Sequence, residues 1–259
     1  MRAVKRIVQT LVCLGLMWQR PAGAVRPFIT DDARVVGEHL AQLETWVRGD
    51  PRSFQHWLLV AVGPWAPVEL TVGALHGAGY EDGAPGYGVH GPLLQAKALL
   101  IEPRPNRWPG LAISLGATAP LGYGEFAPHG WERFAYIAVT ESLFHDDRLL
   151  LHGNVGMTVV GAEHGQGSLT TLTWGIGLQL RAFAGLHIVA EVVSGDPYEP
   201  GSGGAGQAGV RYILSDRIQL DATVGSGLWG ESALPVWGTA GIRMVAGPIS
   251  KWFQRQRKS

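Results

Sequence analysis

The chain contains almost no cysteine and no long apolar run. Cys13 is its only cysteine, which excludes a disulfide framework and a thiolate metal site. No stretch of about 20 consecutive apolar residues occurs, so membrane-spanning helices are not supported. Charged residues make up 16% of the 259 residues, below the roughly 25% usual for soluble domains. The chain is therefore poor in charge and yet unsuited to helical membrane insertion.

The first 24 residues are typical of a secretory signal peptide. Basic residues precede the mostly apolar segment Ile7–Trp18, and Ala22-Gly23-Ala24 offers a small-x-small cleavage pattern. We predict cleavage after Ala24 and no lipid attachment at Cys13, because the preceding Val12 is not small. A retained anchor is disfavoured because the apolar segment is too short. Cleavage removes four basic residues and no acidic one, so the formal charge falls from zero to −4 and nothing indicates nucleic-acid binding.

What the chain does have is glycine (37 residues), tryptophan (10 residues) and many short segments in which polar and apolar side chains alternate. The period of two is clearest in residues 68–75, 217–225 and 236–244, and it is typical of strands with one polar and one apolar face. Segments of about ten residues span a bilayer when tilted by about 45°. We predict twelve strands, at 40–48, 54–63, 67–79, 91–102, 110–119, 132–144, 147–160, 168–181, 184–194, 205–215, 217–227 and 235–246.

The connections between these segments alternate between long and short along the chain. This alternation is typical of an up-and-down antiparallel β-barrel in an outer membrane, with tight turns facing the periplasm and longer loops outside. The all-β transmembrane barrel is predicted to occupy residues 40–246. Residues 25–39 are then a periplasmic N-terminal segment, and residues 247–259 a basic C-terminal tail. Both termini are expected to face the periplasm.

Alternation alone does not say which face meets lipid, because a soluble barrel would place its apolar face inside. Glycine is frequent on the polar face, where it would weaken a strand exposed to solvent but relieve crowding in a lumen. Aromatic residues cluster near the predicted strand ends, as in the girdles of membrane barrels. We therefore expect the apolar face to point outward.

An inward polar face would bring charges of both signs into the lumen. They form either a hydrated path without strong ion selectivity or a network of ion pairs that holds the barrel closed. Uncharged amide side chains such as Gln42, Gln179 and Gln207 would join them. The candidate lumen-lining residues are Glu44, Glu69, Lys97, Glu141, His152, Arg181, His187, Glu191, Arg211, Asp221 and Arg243.

Catalytic and metal-binding patterns are weak. No carboxylate–histidine spacing predicts a metal site, and we expect neither a metal nor a cofactor. Ser142 near His145, or Ser168 near His164, could form the serine–histidine pair of a lipid-modifying enzyme, but neither lies in a recognisable motif. The protein is therefore predicted not to be an enzyme, with a lipid-modifying outer-membrane enzyme as an alternative.

The predicted mature N-terminus carries Arg26-Pro27-Phe28-Ile29-Thr30-Asp31-Asp32-Ala33, followed by Gln42-Leu43-Glu44-Thr45-Trp46. This opening resembles a bacterial family named for the MetA pathway of phenol degradation. Similar stretches follow at 138–140, at 146–152, and at Glu191 with residues 195–198. The resemblance implies an outer-membrane barrel linked by pathway context to the uptake of hydrophobic or aromatic compounds, without a catalytic motif. Barrels of this class usually end on an aromatic residue, whereas this chain continues into its basic tail.

The function expected from these observations is the passive transport of small hydrophobic or aromatic solutes across the outer membrane. The expected partners are the lipid bilayer, the outer-membrane assembly machinery and a small-molecule solute, with no nucleic acid. The alternative is a closed structural or surface-binding barrel without transport.

Overall fold

The structure is a computed structural model that describes residues 28–80, 85–161, 168–196, 199–230 and 234–247. The predicted signal peptide and nearly all of the basic tail lie outside these residues. None of the helices in the described part of the chain is long and apolar enough to cross a membrane.

The described residues form twelve β-strands and two short 3-10 turns. Each predicted strand overlaps one observed strand, and most boundaries agree within a few residues. The strands are β1 (Ala41–Gly49), β2 (Ser53–Trp65), β3 (Val68–Gly79), β4 (Gly86–Ile101), β5 (Gly110–Thr118), β6 (Glu132–Leu143), β7 (Leu149–Gly161), β8 (Ser168–Phe183), β9 (Leu186–Asp196), β10 (Glu199–Ser215), β11 (Ile218–Trp229) and β12 (Trp237–Ala246).

Each strand pairs antiparallel with its neighbours in the sequence, and β1 closes the sheet by pairing with β12. The closing ladder runs without a register shift from Ala41 opposite Ala246 to Gly49 opposite Gly238. Closure leaves no edge strand, so every backbone group of the wall can find a partner even in hydrocarbon. The prediction of a closed twelve-stranded up-and-down barrel is confirmed.

The connections at the two ends of the barrel are less unequal than predicted. The end at which β1 begins has connections at 66–67, 102–109, 144–148, 184–185 and 216–217, and we call it the short-turn end. The opposite end, the long-loop end, carries the 119–131 connection. It also contains tight connections, because β9 continues to Asp196 and β10 already begins at Glu199, where a longer loop was expected.

Side chains alternate between the two faces of the wall along most of each strand. In β6, for example, Phe134, Tyr136 and Ala138 are buried and face inward, whereas Ile137 and Val139 are exposed on the outer surface. Large apolar side chains cover that outer surface, while most buried charged residues lie inside. A continuous exposed apolar surface of this kind is typical of a membrane-facing wall.

Exposed aromatic side chains gather at both ends of the wall. Trp65, Trp108, Phe144 and Phe183 surround the short-turn end. Phe54, Tyr80, Tyr87, Tyr123, Trp131 and Trp229 surround the long-loop end, and we call this group the outer girdle. Aromatic girdles of this kind mark the two membrane interfaces of a transmembrane barrel.

The N-terminal segment was expected to precede the barrel in the periplasm, but residues 28–36 of it lie inside the barrel. The chain reverses at Gly37, whose backbone φ of +95° favours glycine. Across from it, a Cβ on Gly63 would lie 1.9 Å from the Gly37 carbonyl oxygen, so the wall needs glycine here too. The two glycines let the chain leave the lumen at the short-turn end and turn into β1.

If the apolar face points to lipid, the free-energy cost of placing an arginine on it should depend on its depth in the membrane. Ile137 lies at the middle of β6 and Leu228 lies next to the last residue of β11, at the long-loop end, and both are exposed on the outer face. We expect Ile137→Arg to lower the free energy of unfolding in liposomes by about 2–4 kcal/mol and Leu228→Arg by about 0–1 kcal/mol. Urea titration of folding measures both values, and equal costs for the two variants would contradict the orientation.

Candidate functional site

Residues 28–36 occupy the centre of the barrel, and we call them the inner segment. Ala33 and Val36 are completely buried, and Thr30, Asp31 and Asp32 are each no more than 3% exposed. The inner segment forms no strand with the wall, so its backbone N–H groups depend on side chains for partners.

Two wall carboxylates bind the two ends of the inner segment. Glu191 of β9 accepts hydrogen bonds from the N–H groups of Ile29 and Thr30, at 2.7 and 2.8 Å. Glu69 of β3 accepts one from the N–H of Val36 at 2.7 Å. Each carboxylate thereby gains donors in a buried place where an unsolvated charge would be costly.

Asp31 anchors the middle of the inner segment. Its carboxylate lies 2.8 Å from Lys97 Nζ of β4 and accepts a hydrogen bond from the Tyr136 hydroxyl of β6 at 2.7 Å. Lys97 is 1% exposed, so the pair is shielded from water. A buried ion pair of this kind fixes geometry, because separating either partner leaves an unpaired charge.

The other polar groups of the inner segment also have partners. The N–H of Ala33 donates to Thr140 Oγ1 at 2.9 Å, and the Arg34 guanidinium lies 2.9 Å from Asp147 at the short-turn end. Asp32 accepts a hydrogen bond from the N–H of Arg34. Burial alone would raise the pKa of Asp32, but the positive charges of Arg34 and Lys97 help lower this pKa to about 2. Asp32 therefore keeps its negative charge at neutral pH.

Glycines of β8 make room for the beginning of the inner segment. A Cβ on Gly175 would lie 2.5 Å from Thr30 Oγ1, which is too close for any other residue without a shift. The Phe28 ring lies nearby, 5.3 Å from the His152 ring and 5.7 Å below the Arg211 guanidinium. The glycines that were predicted to relieve crowding in the lumen therefore make room for the inner segment.

The structure brings most predicted lumen residues together around this segment. Glu69, Lys97 and Glu191 contact it through hydrogen bonds or an ion pair. The others complete the wall: Arg243 donates to Gln42, and Arg211 to Gln179. The predicted residues that face inward are Glu44, Glu69, Lys97, His152, Arg181, His187, Glu191, Arg211, Asp221 and Arg243.

Glu141 is an exception and needs a correction. It lies between Thr140 and Ser142, which are both buried and face the lumen, so alternation turns Glu141 outward. Its position is three residues from the short-turn end of β6, where an outward carboxylate can reach water. The alternation of β6 therefore places Glu141 on the outer face, and the prediction that it lines the lumen is wrong.

Two separate spaces lie beside the inner segment within the described residues. A cavity of about 360 Å³ opens at the short-turn end, and Asp32, Arg34, Arg181, His187 and Arg211 help line it. Above the inner segment, Ile29, Tyr136 and Val193 border a void of about 20 Å³, the size of one water molecule. The inner segment therefore blocks the straight path through the barrel.

Of the two serine–histidine pairs considered for catalysis, the described residues bear on only one, Ser142 with His145. Ser142 donates its hydroxyl proton to Asp147, not to His145. His164 lies outside the described residues, so the pair with Ser168 stays untested.

A family model matches residues 12–245, with the description "Uncharacterised conserved protein UCP029691". The chain belongs to this family. No curated protein matches the sequence significantly.

Several solved outer-membrane barrels are similar in fold. The COG4313 outer membrane channel from Pseudomonas putida F1 is 12% identical with a TM-score of 0.54, over 80% of this chain and 94% of that one. The KdgM porin is 9% identical with a TM-score of 0.53, over 78% of this chain and 98% of that one. The NanC porin is 8% identical with a TM-score of 0.52, over 80% of this chain and 98% of that one. At these identities the likeness is one of fold.

The Asp31–Lys97 pair predicts a large effect on stability. Asp31→Asn leaves the Lys97 ammonium buried without its partner, so we expect the free energy of unfolding to fall by about 3–5 kcal/mol. The double variant Asp31→Leu, Lys97→Met removes both charges and is expected to recover most of that loss. Denaturant titration in detergent micelles measures all three proteins. A loss within about 0.5 kcal/mol for Asp31→Asn, as at an ordinary surface site, would mean that the pair does not form.

Proposed function

We propose that this protein is an outer-membrane barrel that transports small hydrophobic or aromatic solutes passively, with both termini in the periplasm. The apolar outer wall and its two aromatic girdles support the membrane location. The similarity in fold to porins and to an outer-membrane channel supports a channel role. The resemblance of the N-terminal motif to the MetA-pathway family supports the choice of solute class.

The observation that carries the proposal is the contrast between the blocked lumen and an apolar groove at the long-loop end. The groove has a volume of about 520 Å³, and Phe54, Tyr80, Val224, Val236 and Trp237 are among the residues that line it. Aromatic and aliphatic linings of this size are typical of sites for small apolar ligands. The groove would collect a solute that prefers hydrocarbon to water, while the lumen offers polar solutes no straight path.

The inner segment would act as the gate of this channel. Glu69, Lys97 and Glu191, which were expected to line a passage, hold the inner segment in place through Val36, Asp31 and Ile29. Passage through the lumen would require these bonds to open, at least in part. A conformation with the bonds intact would pass few ions.

A closed structural barrel is the second candidate, and a specific observation favours it. The charged groups that contact the inner segment have partners within the barrel, as an interior packed for stability would require. Under this alternative the groove at the long-loop end would bind a ligand without passing it on.

Ion conductance and solute uptake separate the two candidates. In planar bilayers we expect the wild-type protein to conduct ions poorly. The variant with Asp31→Asn and Glu191→Gln should conduct better, because it weakens the bonds to the inner segment without changing side-chain size. The matched control is Asp216→Asn, which changes an exposed carboxylate at the short-turn end.

Uptake of a labelled neutral aromatic compound into vesicles whose outer leaflet contains lipopolysaccharide gives the second readout. We expect uptake by wild-type protein to exceed that of empty vesicles. If uptake equals that of empty vesicles and the double variant conducts no better than the control, the protein is a closed barrel and the transport proposal is wrong.

A further inference from the structure

Two histidines face each other on the outer surface of the barrel, away from the lumen. His56 of β2 lies directly opposite His76 of β3 in the ladder. Their neighbours of the same parity, such as Phe54, Leu58 and Val72, are exposed apolar residues of the outer wall. Two imidazoles at paired positions on an apolar surface are unexpected, because polar side chains there must find partners.

The pair lies at the membrane interface and not at its centre. The adjacent ladder position towards the long-loop end on this face pairs Phe54 with Ala78, and Ala78 in turn faces Tyr87. Phe54 and Tyr87 belong to the outer girdle, so the histidines lie next to the level at which lipid headgroups and water begin. Ions from the external solution can reach this level.

The two rings point ring nitrogens at each other. His56 Nδ1 and His76 Nε2 are 2.8 Å apart, and the ring planes meet at 79° with centroids 4.9 Å apart. The only group between these nitrogens is one shared proton. A metal ion in its place would bind both rings at once.

The outer nitrogens of both rings are held by hydroxyl groups. His56 Nε2 lies 2.7 Å from Thr45 Oγ1, and His76 Nδ1 lies 3.1 Å from the Tyr87 hydroxyl oxygen. The Thr45 hydroxyl donates to the Trp57 carbonyl oxygen at 3.0 Å, so its oxygen can accept a hydrogen bond from the Nε2–H of His56. When both outer nitrogens donate, both facing nitrogens present lone pairs. Metal-binding histidines are oriented in the same way by partners on their second nitrogen.

We propose that His56 and His76 form a binding site for a divalent transition-metal ion that favours imidazole: Zn²⁺, Cu²⁺ or Ni²⁺. Metal–nitrogen bonds of about 2.0–2.1 Å require the two nitrogens to separate by roughly 0.5 Å, which small side-chain rotations provide. Among the described residues no third histidine, cysteine, aspartate or glutamate joins the pair. Water therefore completes the coordination, and the ion ties β2 to β3 at the outer rim.

Calorimetric titration of the mature protein in detergent micelles, after treatment with a chelator, tests the site. We expect saturable binding of one equivalent of at least one of Zn²⁺, Cu²⁺ and Ni²⁺. His56→Asn and His76→Asn should each abolish it. Thr45→Val and Tyr87→Phe remove only the orienting hydroxyls and should lower the affinity by about 10–100-fold. The control His145→Asn changes a histidine at the short-turn end and should bind as the wild type does.

Electron paramagnetic resonance of the Cu²⁺-loaded wild-type protein gives a readout that needs no variant. Two nitrogen ligands are expected in the spectrum. The proposal is overturned if none of the three ions binds saturably, or if binding survives in both His56→Asn and His76→Asn.

Discussion

The inner segment is held in the barrel by hydrogen bonds between its backbone N–H groups and carboxylates of the barrel wall. An irregular segment inside a barrel leaves N–H groups without strand partners, and a carboxylate inside a barrel lacks water. Glu191 receives the N–H groups of Ile29 and Thr30, and Glu69 receives that of Val36. Neither partner would be stable in this lumen alone. The position of the inner segment at the centre of the barrel depends on these hydrogen bonds.

The same constraint accounts for the distribution of charge in the whole molecule. The wall must be apolar outside, so its polar residues are forced inward by strand parity, where they need partners. A twelve-stranded barrel has a wide interior, and the inner segment fills its centre with Asp31 and Asp32 as well as with backbone donors. The lumen is therefore polar without being an open aqueous pore. This combination fits the proposal of a channel that restricts ions and takes up apolar solutes at the rim.

Strand positions and face orientation could be predicted from the sequence because they depend on a local period of two. The wrong prediction for Glu141 has the same origin. A shift of one residue in the predicted alternation of β6 turns each side chain to the opposite face. The place of the inner segment could not be predicted in this way. Residues 28–36 have no period, and their partners lie 33 to 162 residues away in the chain.

One signal of the inner segment was nevertheless present in the sequence. The stretches that resemble the MetA-pathway family include residues 28–33 on one side and Thr140, Asp147, His152 and Glu191 on the other. In the structure these residues meet: Thr140 binds Ala33, Glu191 binds Ile29, and the His152 ring lies 5.3 Å from the Phe28 ring. Asp147 binds Arg34, which directly follows the stretch. Stretches that looked like unconnected similarities form the two sides of one interface. The sequence shows which residues take part but not that they touch.

Hydrogen exchange of the wild-type protein in micelles or bilayers tests the central claim most directly. The amides of Ile29, Thr30, Ala33 and Val36 donate to side chains inside the lumen, so they should exchange as slowly as amides of the neighbouring strands. Exchange of these four amides at the rate of an unstructured peptide, with the strands still protected, would show that the lumen is not occupied and would contradict the account.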